Sequence, residues 1–346
     1  MSAALDAVEG PLSGYHHETY VFPLSAEEGS GLQGRWKIRE PREQLLWFDR
    51  RCFGSEERLL YDLQRRIDVI PEVARVSGVD LQRFVEGSTL GALHPSGEAL
   101  PAPLFDQIPG LFRQLVAVTS STLVVERRCR PEDRATEGDS AGFLETLISF
   151  TQDRVYERNL SEYKDLFADL GLEPHAFRQL RKRVAGLHDR PFCLLHADLH
   201  RENFIVDPDG KLWAIDWELA MFGDPLYDLA THLYLMRYPP AQERQMIQRW
   251  CMVVEEIRPG SSRGWREDLP RLLDFKKAQS VFTDVIRLSQ SLDVEGQFDR
   301  RRLRGAAWKV WGVLSSAAEP LGLESVPGPL ATEAALLRWR SVRAFT

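Results

Sequence analysis

The sequence predicts an α+β protein in which a small antiparallel sheet precedes a larger, mainly helical portion. Three observations carry that expectation. Short β-rich runs crowd the first 86 residues, helical spacing dominates beyond Pro101, and a second tight hairpin near residue 208 sets polar residues at the ends of two strands. At 346 residues the chain exceeds the usual limit of one hydrophobic core, so two lobes are expected, 1–86 and 87–346.

Taken in order, Ser13 to Thr19 reads as a polar loop opened by Gly14. Tyr20-Val21-Phe22-Pro23-Leu24 and Gly34-Arg35-Trp36-Lys37-Ile38-Arg39 then read as a hairpin about the turn-forming Glu27-Glu28-Gly29-Ser30-Gly31. After Ser55, a candidate N-cap, Leu59, Leu60, Leu63 and Ile67 share one helical face, with Glu56 and Glu57 in the first turn. Pro71 to Val76 and Val79 to Val85 read as two further strands, closing at Glu86-Gly87. Ile108 to Val125 and Gly142 to Asn159 carry helical spacing. Farther on, Phe204-Ile205-Val206 and Lys211-Leu212-Trp213-Ala214-Ile215 flank Asp207-Pro208-Asp209-Gly210, whose turn chemistry implies a hairpin with Asp207 and Asp209 as turn residues.

Apolar content of 43% and charged content of 27% are those of a soluble globular chain, and a net charge of −7 argues against nucleic acid as a partner. Cys52, Cys129, Cys193 and Cys251 lie far apart, which suggests neither a disulfide framework nor a zinc site. No run of eighteen apolar residues and no leader-like segment occurs, so a cytoplasmic location away from membranes is expected.

The chemistry concentrates in Leu195-His196-Ala197-Asp198-Leu199-His200-Arg201-Glu202-Asn203-Phe204 and Ala214-Ile215-Asp216-Trp217-Glu218. Phosphoryl transfer asks a protein mainly for positioning and for charge neutralisation. Asp198 has the chemistry to accept or orient a hydroxyl proton, and Asn203 and Asp216 are hard oxygen ligands of the kind Mg2+ prefers. The turn at 207–210 would bring these segments side by side. His196, Asp198 and His200 also permit a different reading, a metallohydrolase cluster, but that leaves Asn203, Asp216 and Gly223 to Ala230 unexplained.

These residues resemble the aminoglycoside phosphotransferase and choline kinase group, small-molecule kinases with the protein-kinase-like fold. The group's signature runs His-x-Asp-x-x-x-x-Asn, Ile-Asp-Trp-Glu and Gly-Asp-Pro-x-x-Asp-Leu-Ala. Here it appears as His196-Ala197-Asp198, Asn203, Ile215-Asp216-Trp217-Glu218 and Gly223-Asp224-Pro225-Leu226-Tyr227-Asp228-Leu229-Ala230. The resemblance spans about residues 12 to 235. It implies a bilobal fold with a nucleotide-binding first lobe and a catalytic and substrate-binding second lobe. It implies Asp198 as catalytic base, Asn203 and Asp216 as Mg2+ ligands, and His196 and Asp228 as braces of the catalytic loop; Asp224, between Gly223 and Pro225, is read as capping or turning the chain. Ala197 stands where the family often has Gly.

In the first lobe the resemblance makes Arg39 the cation that pairs with the nucleotide phosphates and Glu56 the helix acid that holds it, with Glu57 as the neighbouring possibility. Gln82-Arg83-Phe84-Val85-Glu86-Gly87 resembles the lobe connector that reads the purine, which puts Arg83 and Val85 among the nucleotide-binding positions. Strand alternation places Lys37 on the face of Arg39, toward the nucleotide. His200 either contacts the γ-phosphate or fills surface space. Glu218 either binds a second metal or substrate, or is a structural acid. His16 and His17 lie in the loop expected over the phosphates, or form an exposed pair.

The function implied is an ATP- or GTP-dependent O-phosphotransferase acting with Mg2+ on a hydroxylated small molecule. An antibiotic acceptor, aminoglycoside or nucleoside, would confer resistance, and the predominance of arginine among the basic residues is the composition of G+C-rich bacteria that include antibiotic producers. The alternatives are a metabolic kinase for choline, homoserine or a sugar and, in another class, an inactive kinase-fold binding module, against which stand the intact Asp198, Asn203 and Asp216. Specificity is expected in the helices between Glu145 and Lys182 and between Asp274 and Leu292, where Glu145, Asp153, Glu157, Glu162 or Asp284 could face an amine.

Overall fold

The computed structural model describes residues 8–13, 17–24, 32–41, 50–123, 125–294 and 297–343. These form two compact units. One draws on Met1–Trp47, Arg51–Cys129 and Pro191–Ser262, the other on Phe48–Arg50, Arg130–Arg190 and Arg263–Thr346.

The first unit opens on a five-stranded antiparallel sheet. Its strands are β1 (Glu9–Ser13), β2 (His17–Leu24), β3 (Gly34–Pro41), β4 (Val73–Val76) and β5 (Val79–Arg83), ordered β1-β2-β3-β5-β4. The expected hairpin is β2 with β3, paired from His17↔Pro41 to Leu24↔Gly34; its turn, 27–31, lies outside the described residues. The sheet begins earlier than the sequence suggested. β1 pairs with β2 ahead of the expected loop, Ser13 to Thr19, and β2 already starts inside that loop at His17. Gly10 and Pro11 hide β1 from propensity, and an edge strand tolerates both.

Helix α1 (Glu56–Leu63) crosses between β3 and β4 in sequence. The Ser55 hydroxyl accepts the Arg58 N–H at 3.2 Å, and Leu59, Leu60, Leu63 and Ile67 are buried, as their spacing requires. The later helix Ile108–Ala117 stops eight residues short of the expected end. Val118 is extended, and the Thr119 N–H bonds the Thr122 hydroxyl at 2.9 Å, a side-chain competitor for helical pairing. The freed Val118 carbonyl accepts the Leu194 N–H at 2.8 Å.

Short strands then frame the motif. β7 (Cys193–Leu195) pairs with β10 (Met221–Gly223), and β8 (Phe204–Val206) lies between β6 (Ser88–Thr89) and β9 (Leu212–Ala214). The β8–β9 turn is built as its residues predict. Asp207 Oδ1 accepts the Asp209 and Lys211 amides at 3.0 and 2.9 Å, and Oδ2 accepts the Trp213 indole at 2.8 Å. Gly87 passes so near this strand that a Cβ there would sit 2.1 Å from the Val206 carbonyl oxygen.

The second unit is helical, with Ser140–Phe150, Leu160–Asp169, His175–Val184, Trp265–Gln290, Arg300–Leu321 and Pro329–Arg343. Its core gathers Tyr156, Phe167, Phe177 and Phe282, the last two stacked at 4.6 Å between centroids. The expected continuous helix over 142–159 instead widens into a π turn at Thr151–Tyr156 and tightens to a 3-10 turn at Glu157–Asn159. Four acids considered for acceptor recognition have partners within this unit: Glu145 pairs with Arg181, Glu157 with Gln152, Glu162 with Arg343 and Asp284 with Ser280. No cysteine forms a disulfide, and no helix among the described residues is long and apolar enough to cross a membrane.

Candidate active site

The motif residues converge within the first unit because strands hold both halves. β7 delivers His196, Ala197 and Asp198, and the β8–β9 hairpin returns the chain so that the Ile215 N–H bonds the Asn203 carbonyl at 2.9 Å. Asp198 and Asn203 touch directly. Asn203 Nδ2 donates to the Asp198 backbone oxygen at 2.9 Å and to Oδ2 at 3.1 Å. His200 Nε2 stands 3.4 Å from the same Oδ2, while its Nδ1 accepts the Glu202 N–H at 3.2 Å. An acceptor Nδ1 fixes the tautomer that carries its proton on Nε2, toward Asp198. Burial opposes the charged form of His200, but the hydrogen bond and charge of Asp198 outweigh it and raise its pKa. No donor among the described residues occupies Asp198 Oδ1, and the side chain is 28% exposed.

His196 is a core residue. Its Nε2 donates to the Ile215 carbonyl at 3.1 Å, its ring lies against Trp217, and burial pushes its pKa down to about 4, so it stays neutral. Asp228 turns both oxygens on the loop, accepting the His196 N–H at 3.1 Å and the Ala197 N–H at 2.7 Å. Ala197 itself has φ +65°, the left-handed region, which is the physical reason a glycine suits this position. Asp224 accepts the Leu226 N–H at 2.9 Å as the N-cap of the helix Pro225–Met236.

A second charged cluster is built on β3 and α1. Arg39 pairs with Glu56, lies 3.6 Å from Glu57, and reaches Asp216 Oδ1 at 3.5 Å. Glu56, and not its neighbour, is therefore the main partner. Burial works against the Arg39 charge, but Glu56, Asp216 and Glu57 more than offset it and raise its pKa. Lys37 shares the face of Arg39; burial and the Arg39 charge push it down to about 8. Asp216 also has positive φ, +63°, and burial together with Glu56 and Glu218 pushes it up to about 7 despite Arg39. An acid held that high beside other acids marks a locus short of positive charge.

That shortage is the test of fit for Mg2+. Asn203 spends its amide nitrogen on Asp198 and keeps Oδ1 available, while the Asp216 carboxylate is 39% exposed, so both can offer oxygen to a hard cation that also takes water and phosphate. The alternative metallohydrolase cluster fails. His196 is turned into the core, and among the described residues no three His, Cys, Asp or Glu side chains gather as a metal cage.

Glu218 is not an open acid. Arg51 bonds it at 2.5 Å and His17 Nδ1 lies 3.5 Å away, so it ties β2 to the segment after Asp216; His16 lies outside the described residues. Arg83 does not join the cluster. It pairs with Trp36 across the strands, and its guanidinium lies over that indole and bonds Glu72 at 2.8 Å, on the face opposite Lys37. Val85 remains in the connector, where its backbone N–H and carbonyl take no hydrogen bond from the described residues.

Two supporting groups escaped the sequence reading. Arg201 bonds the carbonyls of Met236, His94 and Glu98, and His232 bonds the Leu199 carbonyl at 2.9 Å and the Tyr238 hydroxyl at 3.0 Å, so both stiffen the segment 196–203 from behind. Arg201 lies inside the motif and was the readable signal.

Residues 71–267, more than half of the chain, match the model of the phosphotransferase enzyme family, APH. Solved structures agree in fold. A choline/ethanolamine kinase family protein from Mesorhizobium loti is 17% identical over 97% of this chain and 94% of its own, with a TM-score of 0.52. Choline kinase LicA from Streptococcus pneumoniae is 17% identical over 92% of this chain and 95% of its own, with a TM-score of 0.51. A thermostable mutant of aminoglycoside phosphotransferase APH(4)-Ia, in ternary complex with ADP and hygromycin B, is 15% identical over 96% and 93%, with a TM-score of 0.50. The antiparallel sheet and helical remainder are those of the kinase-like fold, and the chain belongs to the phosphotransferase enzyme family.

Proposed function

We propose that the chain moves the γ-phosphate of a purine nucleoside triphosphate to a hydroxyl of a small molecule, an antibiotic being the acceptor class, and so confers resistance. The contact between Asn203 Nδ2 and Asp198 Oδ2 at 3.1 Å carries this reading, together with Arg39, which reaches Asp216 at 3.5 Å and pairs with Glu56. Asn203 and His200 hold Oδ2 of Asp198, and Oδ1 is left to accept the proton of the attacking hydroxyl. Asn203 Oδ1 and Asp216 would hold Mg2+, which neutralises phosphate charge when bound. Arg39, steadied by Glu56, meets the phosphates from the strand side, and Val85 offers its backbone to the purine.

The test is a mass-shift screen of the protein with ATP and GTP against pooled hydroxylated antibiotics, with choline, ethanolamine and sugars in parallel because choline kinases stand among its structural neighbours. A phosphorylated antibiotic, together with protection of a sensitive host, is the expected result. Phosphorylation confined to the metabolites would select the metabolic kinase, and no transfer to any acceptor would favour an inactive binding module. Asp198→Asn should lower turnover by about 10²- to 10⁴-fold while nucleotide affinity stays within about threefold.

A further inference from the structure

The helix Arg300–Leu321 packs into the second unit through one side, where Leu303, Ala307, Val310, Leu314 and Leu321 are buried. Half a turn away, Arg301, Gly305, Trp308, Gly312, Ser315 and Glu319 are all exposed. At 3.6 residues per turn these six positions fall within about 40° of one direction. Their spacing alternates four and three, which is the seam period of two helices lying side by side. Trp308, in the middle, is 58% exposed, with the Trp311 ring edge-on at 5.2 Å.

Nothing within one chain calls for this pattern. Glycine weakens a helix interior, yet neither Gly305 nor Gly312 takes the left-handed conformation that would require it. A Cβ added at either would meet nothing within 4 Å, so packing inside the chain does not require them. The Trp308 indole, standing between them in water, is apolar area left unburied.

Against a second copy the same stripe is self-complementary. Laid antiparallel about a two-fold axis level with Val310, Trp308 meets Gly312, Gly305 meets Ser315 and Arg301 meets Glu319, each contact occurring twice. A large side chain fills the space over a small one, and a cation meets an anion at both ends. Glu319 Oε1 already pairs with Arg183 at 2.9 Å, but the side chain is 76% exposed, so a second guanidinium can share the carboxylate. Charge also sets the direction. Arg300, Arg301, Arg302 and Arg304 crowd the first turns while Glu319 and Glu324 lie at the other end, so parallel helices would set arginine on arginine. Antiparallel ones bring the arginines to the partner's acids and to the negative end of its helix dipole.

We propose that a second copy of the chain docks on this stripe, forming a two-fold dimer in which Trp308 of each protomer packs over Gly312 of the other. The inference is independent of the phosphotransferase reading. Six positions from each protomer make a small interface, so the dimer should be half formed at about 10–100 µM chain.

Sedimentation equilibrium of the full chain from about 1 to 300 µM tests it. The mass should rise from 39.6 kDa toward twice that value and no further. Trp308→Arg and Gly312→Leu should both remain monomeric. Leucine favours the helix and has room within its own chain, so Gly312→Leu should melt no lower than wild type in dilute solution, which separates loss of the interface from loss of the fold. Arg301→Glu and Glu319→Arg should each weaken the dimer at least about fivefold, and the variant carrying both should return to within about threefold of wild type. A chain that stays monomeric throughout overturns the proposal, as does a dimer that survives Trp308→Arg or Gly312→Leu. Growth beyond a dimer would mean a head-to-tail contact and overturns the two-fold one. Failure of the double charge reversal to restore association overturns the antiparallel register.

Discussion

The Asp228 carboxylate accepts the Ala197 amide at 2.7 Å across 31 residues of chain, and its second oxygen takes the His196 amide. Asp228 is 2% exposed, so two charge-assisted hydrogen bonds in a dry setting hold the backbone immediately before Asp198.

Asp228→Asn keeps one acceptor and turns an NH2 group on the other amide. Hydrogen bonds to charged groups are worth about 1.5–3 kcal/mol, so the variant should lose about 3 kcal/mol in urea unfolding. Turnover should fall by about 10²-fold through displacement of Asp198. Stability within about 0.5 kcal/mol of wild type would remove the bracing role.

Ala197 sits at φ +65°. Relief of that conformation by Ala197→Gly, about 1 kcal/mol, is offset by the freer unfolded chain, so this variant should unfold within about 0.5 kcal/mol of wild type. Ala197→Val, β-branched and ill-suited to that region, should lose about 2 kcal/mol or more. Equal stability of the Gly and Val variants would contradict the backbone argument.

Arg39 and Glu56 form a pair in which both side chains are nearly buried. Arg39→Ala should cost about 3–5 kcal/mol, because it strands the Glu56 charge, and should weaken nucleotide binding. The double variant Arg39→Ala/Glu56→Ala should be more stable than Arg39→Ala alone; simple additivity in the cycle would mean that the two do not act as a pair.

Asp216 is pushed up to about 7, so near neutral pH its carboxylate is only partly ionised in the nucleotide-free protein. The raised value means protons compete with a cation, and affinity for the Mg2+-nucleotide complex should rise with pH, roughly tenfold from pH 6 to pH 8. Titration calorimetry across that range, with Asp216→Asn as the control that lacks the slope, checks the sign. A flat profile in the wild type would detach Asp216 from the metal.

Much of the site was legible because its chemistry is local in sequence. Asp198 and Asn203 are five residues apart, and the Asp207 turn that returns the chain toward Asp216 is written in residues with one dominant conformational habit. Ser55 and the leucines of α1 announced that helix for the same reason. β1 was not legible, since Gly10 and Pro11 carry no strand signal and only pairing with β2 makes them a strand. Where the Arg83 side chain goes was not legible either, because strand register sets it over Trp36.

By itself the sequence determined the fold class, because capping, turn formation and alternation act over a few residues, and its three motifs marked the resemblance to phosphotransferases. Only the tertiary structure decided that Glu56 rather than Glu57 is the main partner of Arg39, that Arg51 and His17 close off Glu218, and that Lys37 lies opposite an unpaired Gln82. Those relations depend on strand register and on which long side chains meet in a shared cleft, where burial sets the strength of every charge and hydrogen bond. Local sequence carries no term for either.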